Sequence, residues 1–253
     1  MSPDATRQAI RNLIARLCAF GSMTQGRYEL FETFKRLPLL NASIGITANP
    51  DFEINGTGTV ANADQAFDIG GGILISTDAA TPAANENTYV TPHLDALQSA
   101  WAKAGLWGSE DEVMVETQVN LPSIALMHAR FGLFEDAAQP SDLALTGSDD
   151  NAAFFLFDED NATSGTQWLC VVNVAGVDTV VASGVTVAAA TEYKLRVELD
   201  ADRAPHFYIN DRQVYQGPVM TDAVNLVPQI AVGTDTTAIK TMAIRYLRAS
   251  RDL

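Results

Sequence analysis

The chain has 253 residues, 47% hydrophobic and 19% charged, enough apolar material for a packed core and too much for an intrinsically disordered segment. No apolar run approaches ~18 residues, which argues against a transmembrane helix, and Arg7, Arg11 and Arg16 interrupt any signal-peptide stretch. Sixteen basic against thirty-one acidic residues give a net charge of −15, which excludes bulk attraction to nucleic acid or anionic membrane.

Residues 1–21 are expected to form a helix. Ser2 reads as its N-cap, Pro3 as the first helical residue and Gly21 as its stop. Ile10, Leu13, Ile14 and Leu17 make one apolar stripe at i, i+3, i+4, i+7, with Arg7, Arg11 and Arg16 on the other side. Burying that stripe is worth about 1.5–3 kcal/mol per side chain, and a helix this short needs such a partner.

Residues 22–50 read as a connector, either an extended arm or a short helix lying on a surface. Tyr28, Leu30, Phe31, Phe34, Leu37, Leu39 and Leu40 make it too apolar for a free linker, and Pro38 and Pro50 interrupt regular structure.

From residue 51 to 253, short β-rich runs alternate with Gly, Asn, Asp, Ser and Thr clusters, the pattern of an antiparallel sandwich. The predicted strands begin with 73–76, 113–119, 125–134, 152–157, 168–174 and 179–181. They continue with 193–199, 206–209, 212–215, 226–232 and 242–247. Alternation is clearest where Tyr193, Leu195, Val197 and Leu199 oppose Lys194, Arg196 and Glu198. Residues 94–104 read as a helical insert. The fold class is therefore mainly β, a jelly-roll sandwich preceded by an amphipathic α-helix and an arm.

Charge is unevenly placed. Residues 1–40 carry +3, residues 240–253 carry +3, and the body between them carries −21. Two basic ends on an acidic body fit docking onto an acidic partner, or simply the solvation of a helix and a terminal strand. The two cysteines, Cys18 and Cys170, build no disulfide framework and point to synthesis in a reducing cytoplasm.

Few residues carry chemistry. His93, His128 and His206 lack metal-ligand spacing, no Gly-x-Ser-x-Gly is present, and Gly70-Gly71-Gly72 opens a strand with no Lys after it. Glu112 and Glu116 share a strand face, but roughly 13 Å of strand separates them, too far for a glycosidase pair at about 5–5.5 Å. Glu198, Asp200 and Asp202, and Asp158-Glu159-Asp160 with Asn161, supply oxygen ligands for Ca²⁺ but read first as acidic turns. Trp101 and Trp107 are candidates for sugar stacking; Trp168, inside an apolar strand, reads as core. No catalytic residue, metal or cofactor is assigned.

The run Tyr193–Asp202, then His206-Phe-Tyr-Ile-Asn-Asp-Arg-Gln-Val214, Pro228–Val232 and Thr241–Tyr246 resembles the concanavalin-A/laminin-G-like jelly roll. One departure is the hairpin turn, where Asn210 is followed by Asp211 rather than Gly, so that Asp211 must adopt φ > 0. Asp51-Phe52-Glu53, Gly70–Gly72 and Trp168–Val172 extend the resemblance to tailed-bacteriophage capsid decoration and head-fibre proteins. That resemblance implies a non-enzymatic virion protein on the outer capsid surface, docked on the major capsid protein as a dimer or trimer. The docking residues would be Ile10, Leu13, Ile14, Leu17, Arg7, Arg11, Arg16, Arg27, Phe31, Phe34 and Arg36, with help from Arg245, Arg248 and Arg251. The alternative is a lectin-like head or tail protein contacting host glycans, and a third reading is a polysaccharide-degrading enzyme on the same scaffold.

Overall fold

The computed structural model describes residues 22–24, 27–40, 49–56, 64–77, 83–84, 86–92, 107–135, 151–160 and 165–252. The expected N-terminal helix and the 94–104 insert lie outside these residues.

The described residues form β1 (Ser22–Thr24), β2 (Arg27–Glu32), β3 (Pro38–Leu40), β4 (Asn49–Gly56), β5 (Gln65–Phe67) and β6 (Ile73–Ser76). There follow β7 (Glu86–Pro92), β8 (Trp107–Gly108), β9 (Met114–Asn120), β10 (Met127–Glu135), β11 (Asn151–Asp158) and β12 (Gln167–Val174). The chain continues with β13 (Val177–Thr186), β14 (Glu192–Leu199), β15 (Pro205–Ile209), β16 (Arg212–Gln216), β17 (Asn225–Thr234) and β18 (Thr241–Asp252).

These strands make two sheets. Sheet A runs β1-β2-β18-β9-β14-β15-β16, with β5 and β6 attached beside β18. Sheet B runs β13-β12-β11-β10-β17-β7-β4-β3, with β8 on β17. All the pairings are antiparallel except β3 with β4.

The core lies between the sheets and follows from the two-residue period of the strands. From sheet B come Phe52, Ile54, Phe131, Phe155, Phe157, Trp168 and Ile230; from sheet A come Val115, Val119, Leu195, Val197, Phe207 and Leu247. Trp168 sits among Phe157 (ring centroids 6.0 Å apart), Tyr193 (5.9 Å) and Phe155 (6.3 Å). Trp107, read from sequence as a sugar-stacking candidate, is buried in this core because β8 pairs with β17 at Leu226.

The segment read as an arm contributes strands to both sheets. Tyr28 and Leu30 of β2 pack on the core while the backbone pairs with β18 from Leu247 to Asp252. Phe34 is buried against Phe52, ring centroids 5.5 Å apart. Phe31 is on the outside, 5.4 Å from the Tyr246 ring, and Arg36 is exposed.

The Asn210–Asp211 hairpin adopts the left-handed geometry that its sequence requires, with φ of 51° and 65°. Asn210 Oδ1 accepts a hydrogen bond from the Lys194 N–H at 2.9 Å, tying the turn to β14. Gly71 and Gly72, at φ 93° and 78°, close the turn between β5 and β6.

Candidate functional site

The outer face of sheet A is a lattice of ion pairs. Lys194 lies 2.8 Å from Asp211 and 3.3 Å from Glu116, whose other oxygen accepts from Tyr246 Oη at 2.9 Å. Arg245 joins Asp68 to Glu192, and Arg248 meets Glu29 at 2.9 Å. Arg27 meets Asp252 at 2.7 Å, and Arg251 meets Asp111 at 2.8 Å. Arg27 and the C-terminal arginines, read as docking groups, therefore have carboxylate partners inside the fold. The helix residues Arg7, Ile10, Arg11, Leu13, Ile14, Arg16 and Leu17 lie outside the described residues.

The Glu112–Glu116 pairing dissolves for a geometric reason. Glu112 precedes β9 at φ 47°, so it is not part of the strand face, and Glu116 is buried against Lys194 and Tyr246.

The acidic turns have internal uses. Asp200 Oδ1 accepts from the N–H groups of Asp202 (3.0 Å) and Ala204 (2.8 Å), while Oδ2 lies 2.9 Å from His206 Nε2. Burial pushes this carboxyl up, but His206 and the two backbone N–H groups outweigh that and hold it below its ordinary value. Asp158 Oδ1 accepts from the Asp160 N–H at 3.1 Å, and Glu159 Oε2 from the Leu126 N–H at 3.0 Å.

The outer face of sheet B is different. Strand alternation places His128, Arg130, Gly132 and Phe134 of β10 outward, beside Ala152, Phe154, Leu156 and Asp158 of β11. Phe134, Phe154, Leu156, Leu169 and Val171 form a second buried apolar cluster there. Arg130 stacks on it, its guanidinium carbon 4.2 Å from the Phe134 ring centroid and 5.4 Å from that of Phe154. Gly132 permits this stack: a Cβ on it would stand 2.3 Å from the Ala153 carbonyl oxygen and 2.6 Å from the Phe154 Cβ.

The aromatic stack continues into polar groups. Arg130 Nη2 donates to Gln229 Oε1 at 2.7 Å. Gln229 lies across from Gly132 on β17, and Glu53 lies across from Thr91 on β4. The Thr91 hydroxyl donates to the Pro228 carbonyl at 3.2 Å, setting the two pairs side by side. Tyr89, next to this row, has its hydroxyl pushed well above the ordinary value by burial and by the Glu53 charge, with Arg130 opposing. Gln229, Val227 and Glu53 are half-buried beside Arg130, Tyr89, Phe134 and Phe154, which are buried, while at the β13 end of the face Asp178, Val180 and Ala182 are exposed.

At one end of the same face, His128 stands between two aspartates, with Nε2 2.7 Å from Asp235 Oδ2 and 3.3 Å from Asp158 Oδ1. Burial raises the Asp235 carboxyl above its ordinary value; His128 opposes this, and the charges of Asp160 and Asp158 add to it. Among the described residues no group of His, Cys, Asp and Glu is disposed to hold a metal.

No family model matches the sequence, and no curated protein matches it. Solved structures match in fold. A protein of unknown function from Shewanella oneidensis MR-1 aligns with TM-score 0.60 and 13% identity, covering 100% of this chain and 95% of that one. The carbohydrate recognition domain of Emp47p aligns with TM-score 0.58 and 11% identity, covering 92% of this chain and 100% of that one. A β-glucanase of Bacillus licheniformis aligns with TM-score 0.53 and 10% identity, covering 90% and 99%. The chain thus has the two-sheet antiparallel jelly roll that lectin-like domains and glycosidases share; at such identities the likeness is one of fold.

Proposed function

We propose that this chain is a non-catalytic carbohydrate-binding domain and that the half-buried Gln229–Glu53 row on the outer side of sheet B receives the glycan. The observation that carries this reading is the Gln229–Glu53 row beside the Arg130–Phe134–Phe154 stack. A sugar ring presents hydroxyl groups at its rim and C–H groups on its faces. With Oε1 held by Arg130, the Gln229 amide turns its N–H donors to a ligand, while Glu53 brings carboxylate oxygens as acceptors. The apolar and aromatic surroundings lower the local dielectric and strengthen both contacts.

The spacing of the acids nearest this row supports binding without turnover. Glycoside hydrolysis uses two carboxyl groups about 5–5.5 Å or about 6.5–9.5 Å apart across the scissile bond. Among the described residues, Glu53 on β4 and Asp158 on β11 are four strand spacings apart, roughly 19 Å. Asp158 and Asp235 are close together, but both are turned onto His128. Of the docking residues among those described, Phe31 and Arg36 are exposed, Phe34 is buried and Arg27 is paired with Asp252.

The test is a glycan array probed with the full chain, followed by incubation of each bound glycan and assay of reducing ends. Retention of defined glycans with no new reducing ends is expected. Failure to retain any glycan, or release of reducing ends from a bound one, overturns the proposal.

A further inference from the structure

The four outermost strands of the two sheet paths differ sharply as edges. β1 and β3 have three residues each, and β16 has five and opens on the exposed Arg212. β13 has ten residues, Val177-Asp-Thr-Val-Val-Ala-Ser-Gly-Val-Thr186, and among the described residues it ends the sheet B order with β12 as its ladder partner, in regular register from Val177 to Ala182 and with a shift before Thr186. It has no Lys, Arg or Pro, and Asp178 is its one charge. Val177 and Val180 are 68% and 42% exposed. The irregular stretch around Gly184 (φ 76°) blunts its far end, but Val177–Ala182 is a regular, nearly uncharged, valine-rich edge and a template for another strand.

The β12–β13 turn determines which backbone groups are offered. Ala175 and Gly176 have φ of 50° and 78°, the two-residue turn in which the flanking Val174–Val177 pair exchanges hydrogen bonds. Alternation from there turns the N–H and C=O of Thr179 and Val181 toward β12. Those of Asp178, Val180 and Ala182 are turned outward.

We infer that β13 is a pairing edge for a second copy of this chain, joining two sheets B antiparallel about a two-fold axis at Val180. Self-complementarity selects the occupant. In that register Val180 meets Val180 and Asp178 meets Ala182, so the one charge of each strand never faces its like. Three outward residues on each side supply about six main-chain hydrogen bonds. The alternation of exposed with half-buried residues along β13 leaves Val180 and Ala182 exposed on one face, where the valines meet across the axis. The two chains, each at −15, repel one another, so association tightens as salt screens that repulsion; a basic peptide on the same edge would weaken.

Sedimentation velocity of the full chain over about 1–100 μM tests this. The Val180→Pro variant removes only an outward donor, so β12–β13 pairing persists, and Val180→Lys adds a charge on the axis. The native chain is expected to dimerise, more tightly at high salt, and both variants to dissociate at least tenfold more readily with unchanged far-ultraviolet circular dichroism. A native chain monomeric throughout, dimers that survive both variants, or dimers that loosen with salt would each overturn the inference.

Discussion

The Arg130 guanidinium carbon lies 4.2 Å from the Phe134 ring centroid while Nη2 holds the Gln229 amide oxygen at 2.7 Å. One buried cation thereby fixes both an aromatic stack and the half-buried amide beside it. Lysine keeps the charge but loses the planar stack and the fork of donors. Arg130→Lys is predicted to cost about 1–3 kcal/mol in urea unfolding, from the cation–π contact and the charged hydrogen bond together. A midpoint unchanged from the parent would show that the stack is not a stabilising element.

Trp168 and Cys170 report the inner side of the same sheet. Burial pushes the Cys170 thiol up to about 12, so it is neither ionised nor accessible near neutral pH. In a Cys18→Ser background, Cys170 is predicted to resist disulfide-exchange reagents until the sandwich opens. Trp168→Ala removes a ring packed among Phe155, Phe157 and Tyr193 and is expected to cost about 3–5 kcal/mol. Where labelling follows the open population, its rate should rise at least ~100-fold.

Acid stability depends on the outer face of sheet A. The hydrogen bond from Arg245 holds the Asp68 carboxyl below its ordinary value of 3.8, the Gly70 N–H adding to it against the opposing effect of burial. A lowered folded value means that Asp68 contributes stability above pH 3.8, and that this is lost as pH falls through the folded value. Asp200 acts in the same direction. Arg245→Ala is predicted to flatten the acid limb of stability against pH and to lower stability near neutrality by about 1 kcal/mol. Urea midpoints measured from about pH 2 to pH 6 give the comparison, and an unchanged acid limb would contradict it.

Local pattern made part of this fold legible. The alternation of Tyr193–Leu199 reads directly as β14, and the Asn210–Asp211 turn reads from its demand for positive φ. β2 escaped because Tyr28, Leu30 and Phe31 are apolar on both faces, Phe31 resting outside on Tyr246, so no two-residue period is visible. β18 extends past the predicted 247 to Asp252, where Arg248 and Arg251, read from sequence as docking groups or as solvation of a terminal strand, pair with Glu29 and Asp111. The outer face of sheet B was hidden most completely. Arg130 and Gln229 are 99 residues apart, and only the β10–β17 register brings them together. His128, Asp158 and Asp235 likewise share no spacing that a sequence motif records.

The central claim is tested most directly by calorimetric titration of an array-selected glycan into the parent chain and three variants. Gln229→Ala and Glu53→Gln alter the proposed face at half-buried positions, and Arg196→Ala alters the outer face of sheet A, where Arg196 stacks 4.1 Å over Tyr208. Glycan affinity is predicted to fall at least tenfold, about 1.4 kcal/mol, in each of the first two and to remain at the parent value in the third. Parent affinity in both Gln229→Ala and Glu53→Gln, with loss in Arg196→Ala, would place the glycan on the other sheet and contradict the account.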